Sequence, residues 1–203
     1  VTAQAYIRSV DWGQVVVSHN PKLIPNRDAL LRVHVVSDRV YETVPNLNLS
    51  LTLNGKSQSI TMVKPGTIPA AVDYENMDAS YHAIVPASLM QAGLQATLTL
   101  DSGESLQLNP TFASTPVFYL TLVPMFVDGK TLVPPNISDM QRALRSFWPM
   151  EQIEIKQHAA FTPVATSGGE LLNELTDLQT AEGDTSYFYG IYSREIQNDF
   201  SGV

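Results

Sequence analysis

The stretch 47–63, LNLSLTLNGKSQSITMV, has the grammar of a β-hairpin. Leu47, Leu49, Leu51 and Leu53 alternate with Asn48, Ser50 and Thr52, so one strand face is apolar and the other wet. Asn54-Gly55 follows, and these two residues accept the positive φ that a type I′ turn demands at both central positions.

The same grammar extends on both sides. Upstream, VDWGQVVVS (10–18) and ALLRVHVVS (29–37) are β-rich; in the second, Leu31, Val33 and Val35 alternate with Arg32, His34 and Val36. Downstream come YHAIVP (81–86) and LQATLTLDSGESLQL (94–108), the latter turning at Ser102-Gly103. Pro and Gly punctuate the whole stretch, and PASLMQAG (86–93) reads as a short helical turn or a crossover loop. About seven short strands with no helix-period segment predict an immunoglobulin-like β-sandwich over residues 1–114.

From residue 115 the pattern changes. VFYLTLVPMFV (117–127) is apolar almost throughout, as a strand buried on both faces must be. Asp128-Gly129 predicts a turn. In SDMQRALRSFWP (138–149), Met140, Leu144, Phe147 and Trp148 recur at helical spacing, Ser138 stands as the cap and Pro149 ends the run. EQIEIKQ (151–157) alternates as a strand. SGGELLNELTDLQ (167–179) predicts a second helix with Leu171, Leu172, Leu175 and Leu178 inward and Glu170, Glu174 and Asp177 outward. An aromatic strand, Tyr187–Tyr192, follows. The order β-α-β-α-β predicts an α/β unit over residues 115–203 with strands side by side and helices against them.

Composition narrows the function classes. The chain has 203 residues, a 44% hydrophobic and a 16% charged fraction, and a net charge of −8 with only 12 Lys and Arg. That is a globular balance, and it argues against nucleic acid as a partner, which needs a clustered positive face. No run approaches the length of a membrane span. Cysteine is absent, so disulfides and thiolate metal sites are excluded.

No complete catalytic constellation emerges. His19, His34, His82 and His158 stand singly, and none belongs to a His-Glu-x-x-His pair of zinc ligands on one helical face. His34 and His82 read as exposed or hydrogen-bonded strand residues. Gly168-Gly169 opens a helix without a phosphate-loop pattern, and DSGES (101–105) reads as a turn, not a nucleophile elbow. The carboxylate pairs Glu151/Glu154, Glu170/Glu174 and Glu182/Asp184 have no visible desolvating pocket. Asn48-Leu49-Ser50 and Asn136-Ile137-Ser138 match the glycosylation sequon, a short pattern that recurs by chance. Tyr187, Phe188, Tyr189 and Tyr192 read as core strand residues, with a sugar-stacking platform as the alternative. The expectation is therefore no catalytic residue, no metal ligand and no cofactor-binding residue in this chain.

Several phrases resemble one family. SVDWGQVVVS (9–18), followed by KLIPNRDALLRVHVV (22–36) and later YHAIVPASLMQAGLQATLTLD (81–101), resembles the immunoglobulin-like module of large secreted bacterial zinc metalloproteases of the mucin-cleaving type. VFYLTLVPMFVDGKT (117–131), SFWPMEQIEI (146–155) and SYFYGIYS (186–193) resemble the opening of their zincin catalytic domain. The resemblance implies a secreted or cell-surface location and a glycoprotein substrate from host or environment. It also implies zinc in the parent protein, held beyond Val203 on a His-Glu-x-x-His helix that follows a Gly-rich stretch and an edge strand. On this expectation the chain is a non-catalytic fragment whose partner is the rest of its own polypeptide. The alternative expectation is an extracellular glycan- or protein-binding adhesion module.

Overall fold

The computed structural model describes residues 4–38, 43–127, 129–165 and 167–192. They are mostly β-sheet with two α-helices, and the chain divides into two compact units, Val1–Thr115 and Pro116–Val203.

The first unit contains β1 (Ala5–Gly13), β2 (Val17–Ser18), β3 (Lys22–Leu23), β4 (Ala29–Ser37), β5 (Leu47–Leu53), β6 (Lys56–Ile60), β7 (Tyr81–Val85), β8 (Gln95–Leu100), β9 (Ser105–Leu108) and β10 (Thr111–Phe112). Two antiparallel sheets run β2-β1-β4-β7 and β6-β5-β8-β9, and β3 pairs with β10 in parallel. Inward residues of both sheets share one core. Trp12, Leu31, Val33 and Tyr81 of the first meet Leu49, Leu51, Ala96 and Leu98 of the second. Each large side chain removed from water contributes about 1.5–3 kcal/mol, which sets the register because a one-residue slip would turn the whole row outward. The turn at Asn54 (φ 52°) and Gly55 (φ 75°) has the left-handed backbone expected of it. Residues 86–93 form turns, not a helix: Leu89 and Met90 donate their N–H groups to the carbonyls of Pro86 and Ala87. Met90 itself is fully buried.

The outer face of β4 departs from expectation. Arg32, His34 and Val36 alternate with the core leucine and valines, yet all three are buried. The reason is segment 61–80, which runs back over them. Val63 pairs with His82 along the outer edge of β7, with N–H···O distances of 2.8 and 3.1 Å. Ser37 donates its N–H to Pro69 O, and a single 3-10 turn, Met77–Ala79, is capped by the Asn76 side chain.

The second unit contains β11 (Phe118–Pro124), β12 (Phe126–Val127), β13 (Lys130–Thr131), α1 (Ile137–Phe147), β14 (Ile153–Gln157), α2 (Gly168–Glu182) and β15 (Tyr187–Ile191). Its sheet is parallel with order β14-β11-β15, the first strand lying centrally. Leu120 through Met125 are buried, as the apolar run predicts for a strand covered on both faces. α2 lays Leu171 and Leu175 against Val123, Met125 and Phe188. Leu172 is exposed, so the inward stripe is narrower than its leucines imply. Ser167 and Glu170 close a capping box at the start of α2, and Gly183 (φ 63°) ends it in a left-handed cap.

Asn136, not Ser138, caps α1: its side chain accepts the N–H groups of Ser138 and Asp139. Asn136 caps because it stands directly before the first helical residue, where its side-chain carbonyl reaches the free N–H groups two and three residues on. None of the α1 side chains is fully buried; Met140 and Leu144 are half-buried, whereas Phe147 is exposed. β12 and β13 pair around Gly129 (φ 74°); Asp128, the other residue of the expected turn, lies outside the described residues, as do 193–203.

Candidate functional site

The sheet of the second unit presents two unlike faces. One holds Val123 and Phe188 beneath α2. On the other, Leu120 lies opposite Tyr187 and Leu122 opposite Tyr189 in parallel register, so these four share a side with Phe118. Leu120 and Leu122 are buried, but Tyr187 is 66% and Tyr189 54% exposed. The expectation of a wholly buried aromatic strand is thereby corrected. Only Phe188 enters the core, because α2 covers its side alone. Phe118 stacks on Tyr187 with ring centroids 5.1 Å apart at 19°, and Trp148, the residue that ends α1, meets Phe118 edge-on at 4.9 Å. The result is an aromatic strip, Trp148–Phe118–Tyr187, with Tyr189 beside it. Helical spacing marks Trp148, but its meeting with Phe118, and that of Phe118 with Tyr187, follow from strand pairing that sequence spacing does not encode.

On the α2 side, a cleft of about 210 Å³ opens between Tyr119, Glu154, Lys156, Asp184, Thr185 and Ser186. Its charges are already engaged. Lys156 Nζ bonds Asp184 Oδ2, and with the Ser186 N–H at 2.8 Å this lowers the Asp184 carboxyl to about 2. Gln152 donates to Glu154 at 2.6 Å. At the cleft floor, Thr121 Oγ1 and Ser186 Oγ share a buried hydrogen bond of 2.5 Å. An arrangement whose acid is held ionised by a paired lysine offers a polar recess rather than a poised general acid.

The remaining carboxylates serve the fold. Glu170 belongs to the capping box, and Glu174 accepts the N–H groups of Val164 and Ala165. His158 stands between two acceptors, Glu182 Oε1 at 2.7 Å and Ala159 O at 2.6 Å. Only the doubly protonated ring donates to both, and its hydrogen bond to the Glu182 carboxylate holds its pKa above the ordinary value.

In the first unit, His34 is the hydrogen-bonded strand residue of the two expected forms, not the exposed one. It is buried, its Nε2 lies 3.0 Å from Asp11 Oδ2, and its ring meets Tyr74 edge-on at 4.9 Å. Burial, and then the neighbouring Arg32 guanidinium, push its pKa below the ordinary value. Arg32 donates from Nε to Ser80 Oγ at 2.7 Å, from Nη1 to Tyr74 O at 2.7 Å, and from Nη2 to the carbonyls of Asp73 and Asn76. His19 lies near the same carboxylate, 3.7 Å from Asp11 Oδ1, and bonds Val10 O. His82 is half-buried opposite Arg32. An arginine inside an apolar strand, LLRVHVV, was the available signal for this cluster.

Among the described residues, no three His, Cys, Asp or Glu side chains converge as a metal site. No described helix is long and apolar enough to cross a membrane. Comparison with known protein families and with curated proteins finds no match.

Proposed function

We propose that this chain is the non-catalytic scaffold region of a secreted or cell-surface zinc metallopeptidase. Its first unit would be an immunoglobulin-like module and its second the opening of a zincin-like catalytic subdomain. The observation that carries this reading is the open edge and bare face of β15. No strand pairs with the outer edge of β15 among the described residues, and the face over Tyr187 and Tyr189 is bare while the neighbouring Leu120 and Leu122 are covered. An unpaired edge and an uncovered aromatic strip are costly to leave in water. They match the edge strand and active-site helix that the resemblance places next in the parent. Zinc, when bound there, would activate a water for peptide hydrolysis. This chain would supply the sheet on which the metal-holding helix packs, and glycoproteins would be the substrates.

The test is the coding sequence downstream of Val203, followed by expression of the longer product. A His-Glu-x-x-His helix within one domain length, roughly 150 residues, and zinc-dependent cleavage of a mucin by the longer product alone are expected. A stop codon, or such a stretch without the zinc signature, overturns the reading.

The exposed tyrosines also favour a second reading, an adhesion module that stacks a sugar ring on the strip. A glycan array answers it: specific binding abolished by Tyr187→Ala and Tyr189→Ala, in a protein that still folds, would replace the first proposal.

A further inference from the structure

Segment 61–80 has little regular structure of its own. Met62 and Ile68 anchor its first part in the sandwich core, whereas residues 69–80 close over the first sheet through one compact polar cluster. Arg32 holds three of its carbonyls and the Ser80 hydroxyl. The Tyr74 ring of the same segment rests against His34. Beneath the segment, His34 Nδ1, Ser9 Oγ and His82 Nδ1 are buried without a hydrogen-bond partner among the described residues. Register places Ser9 opposite His34 and His82 opposite Arg32, so all three lie on the covered face of one sheet.

We propose that residues 69–80 form an acid-released strap, opened by a proton on His34 while the sandwich core beneath stays folded. With Nε2–H facing the Asp11 carboxylate, the neutral ring is satisfied on one side. A second proton must sit on Nδ1, where the closed structure offers it no acceptor. It also sets a new positive charge beside the Arg32 guanidinium. The groups acting on the ring are Asp11 on β1, Arg32 on β4, and Asp73 and Tyr74 on the strap; His82 on β7 and Ser80 lie beside Arg32, and His19 beyond β2 lies beside Asp11. Asp11 and Asp73 favour the proton; burial and Arg32 oppose it and prevail. Lifting the strap returns the ring to water and to its ordinary affinity. Closure is therefore strongest above the ordinary histidine value and weakens as pH falls below it. Between that value and the lowered one of the closed state, the open form gains population as pH falls, by at most about tenfold per pH unit.

Hydrogen exchange of the full chain between pH 7.5 and 5, corrected for the intrinsic pH dependence of exchange, tests this. Amides of the strap and of Ser37 are expected to open progressively more below roughly 6.5, by at most about tenfold per pH unit, while those of β5 and β8 hold their protection. His34→Gln keeps a donor for Asp11 but cannot titrate, and it is expected to abolish the slope. An NMR titration of the wild-type His34 ring is expected to give a value below that of free histidine. A flat wild-type profile, an unchanged slope in His34→Gln, or a ring that titrates at or above the ordinary value overturns the proposal. Should His34→Gln not fold, the wild-type profile and ring titration decide between these outcomes.

Discussion

Replacing Arg32 by Met isolates the polar anchor of the strap. Methionine keeps an apolar stem of similar length within the buried site, so the change removes the guanidinium and little packing. Four donated hydrogen bonds are lost, one to Ser80 Oγ and three to the carbonyls of Asp73, Tyr74 and Asn76. At about 0.5–1.5 kcal/mol net for each, they amount to about 2–6 kcal/mol. Removing a buried charge returns part of its dehydration cost, and Asp73 and Asn76 lie where water can reach them. The expected loss is therefore about 3 kcal/mol. Trp12 is buried in the same unit and reports its unfolding in urea, in a Trp148→Phe background that silences the second tryptophan. A loss below about 1 kcal/mol would refute the reasoning, since it would mean the guanidinium contributes no more than a single surface contact.

Three further outcomes follow from local geometry. Gly190→Ala places a Cβ 2.6 Å from Met125 Sδ and 3.4 Å from Leu175 Cδ2, both buried; denaturant unfolding should show the second unit weakened by about 1–3 kcal/mol. Ser167→Ala opens the capping box of α2, with an expected cost of about 1 kcal/mol in the same assay and a lower helical circular dichroism signal. His158 has a raised pKa, so its bond to Glu182 stabilises the fold fully below the ordinary histidine value and is lost as pH rises through the raised one. The urea midpoint of the second unit should fall from pH 5.5 to pH 8.5, and Glu182→Gln should flatten that fall and lower the NMR-measured His158 value.

What the sequence reveals here depends on how local the cause is. The alternation of Leu47 to Leu53 and the Asn54-Gly55 turn are short-range signals, and the strands lie where those signals put them. The apolar run 117–127 likewise announces a central strand, because only a strand covered on both sides can use so many consecutive apolar residues. Arg32 and His34 mislead for the opposite reason. Alternation marks them as solvent-facing, and their burial comes from a segment more than thirty residues later in the chain, with no periodicity to betray it. Tyr187 and Tyr189 mislead in the other direction, since composition announces burial while only one face of β15 is covered. At α1, Asn136 and Ser138 are both competent caps, and spacing alone cannot choose between them.

The sheet order of the second unit has a consequence for how it is made. The central strand emerges first, and its two neighbours arrive after chain closures of very different length: Leu120 meets Ile155 early and Tyr187 only much later. A long closure is entropically slower, so the β11–β14 pair should form as a nucleus and β15 should dock onto it last. The tyrosine-bearing strand is then also the first to peel away. An emerging polypeptide would hold that position open, ready to receive whatever neighbour arrives beside it.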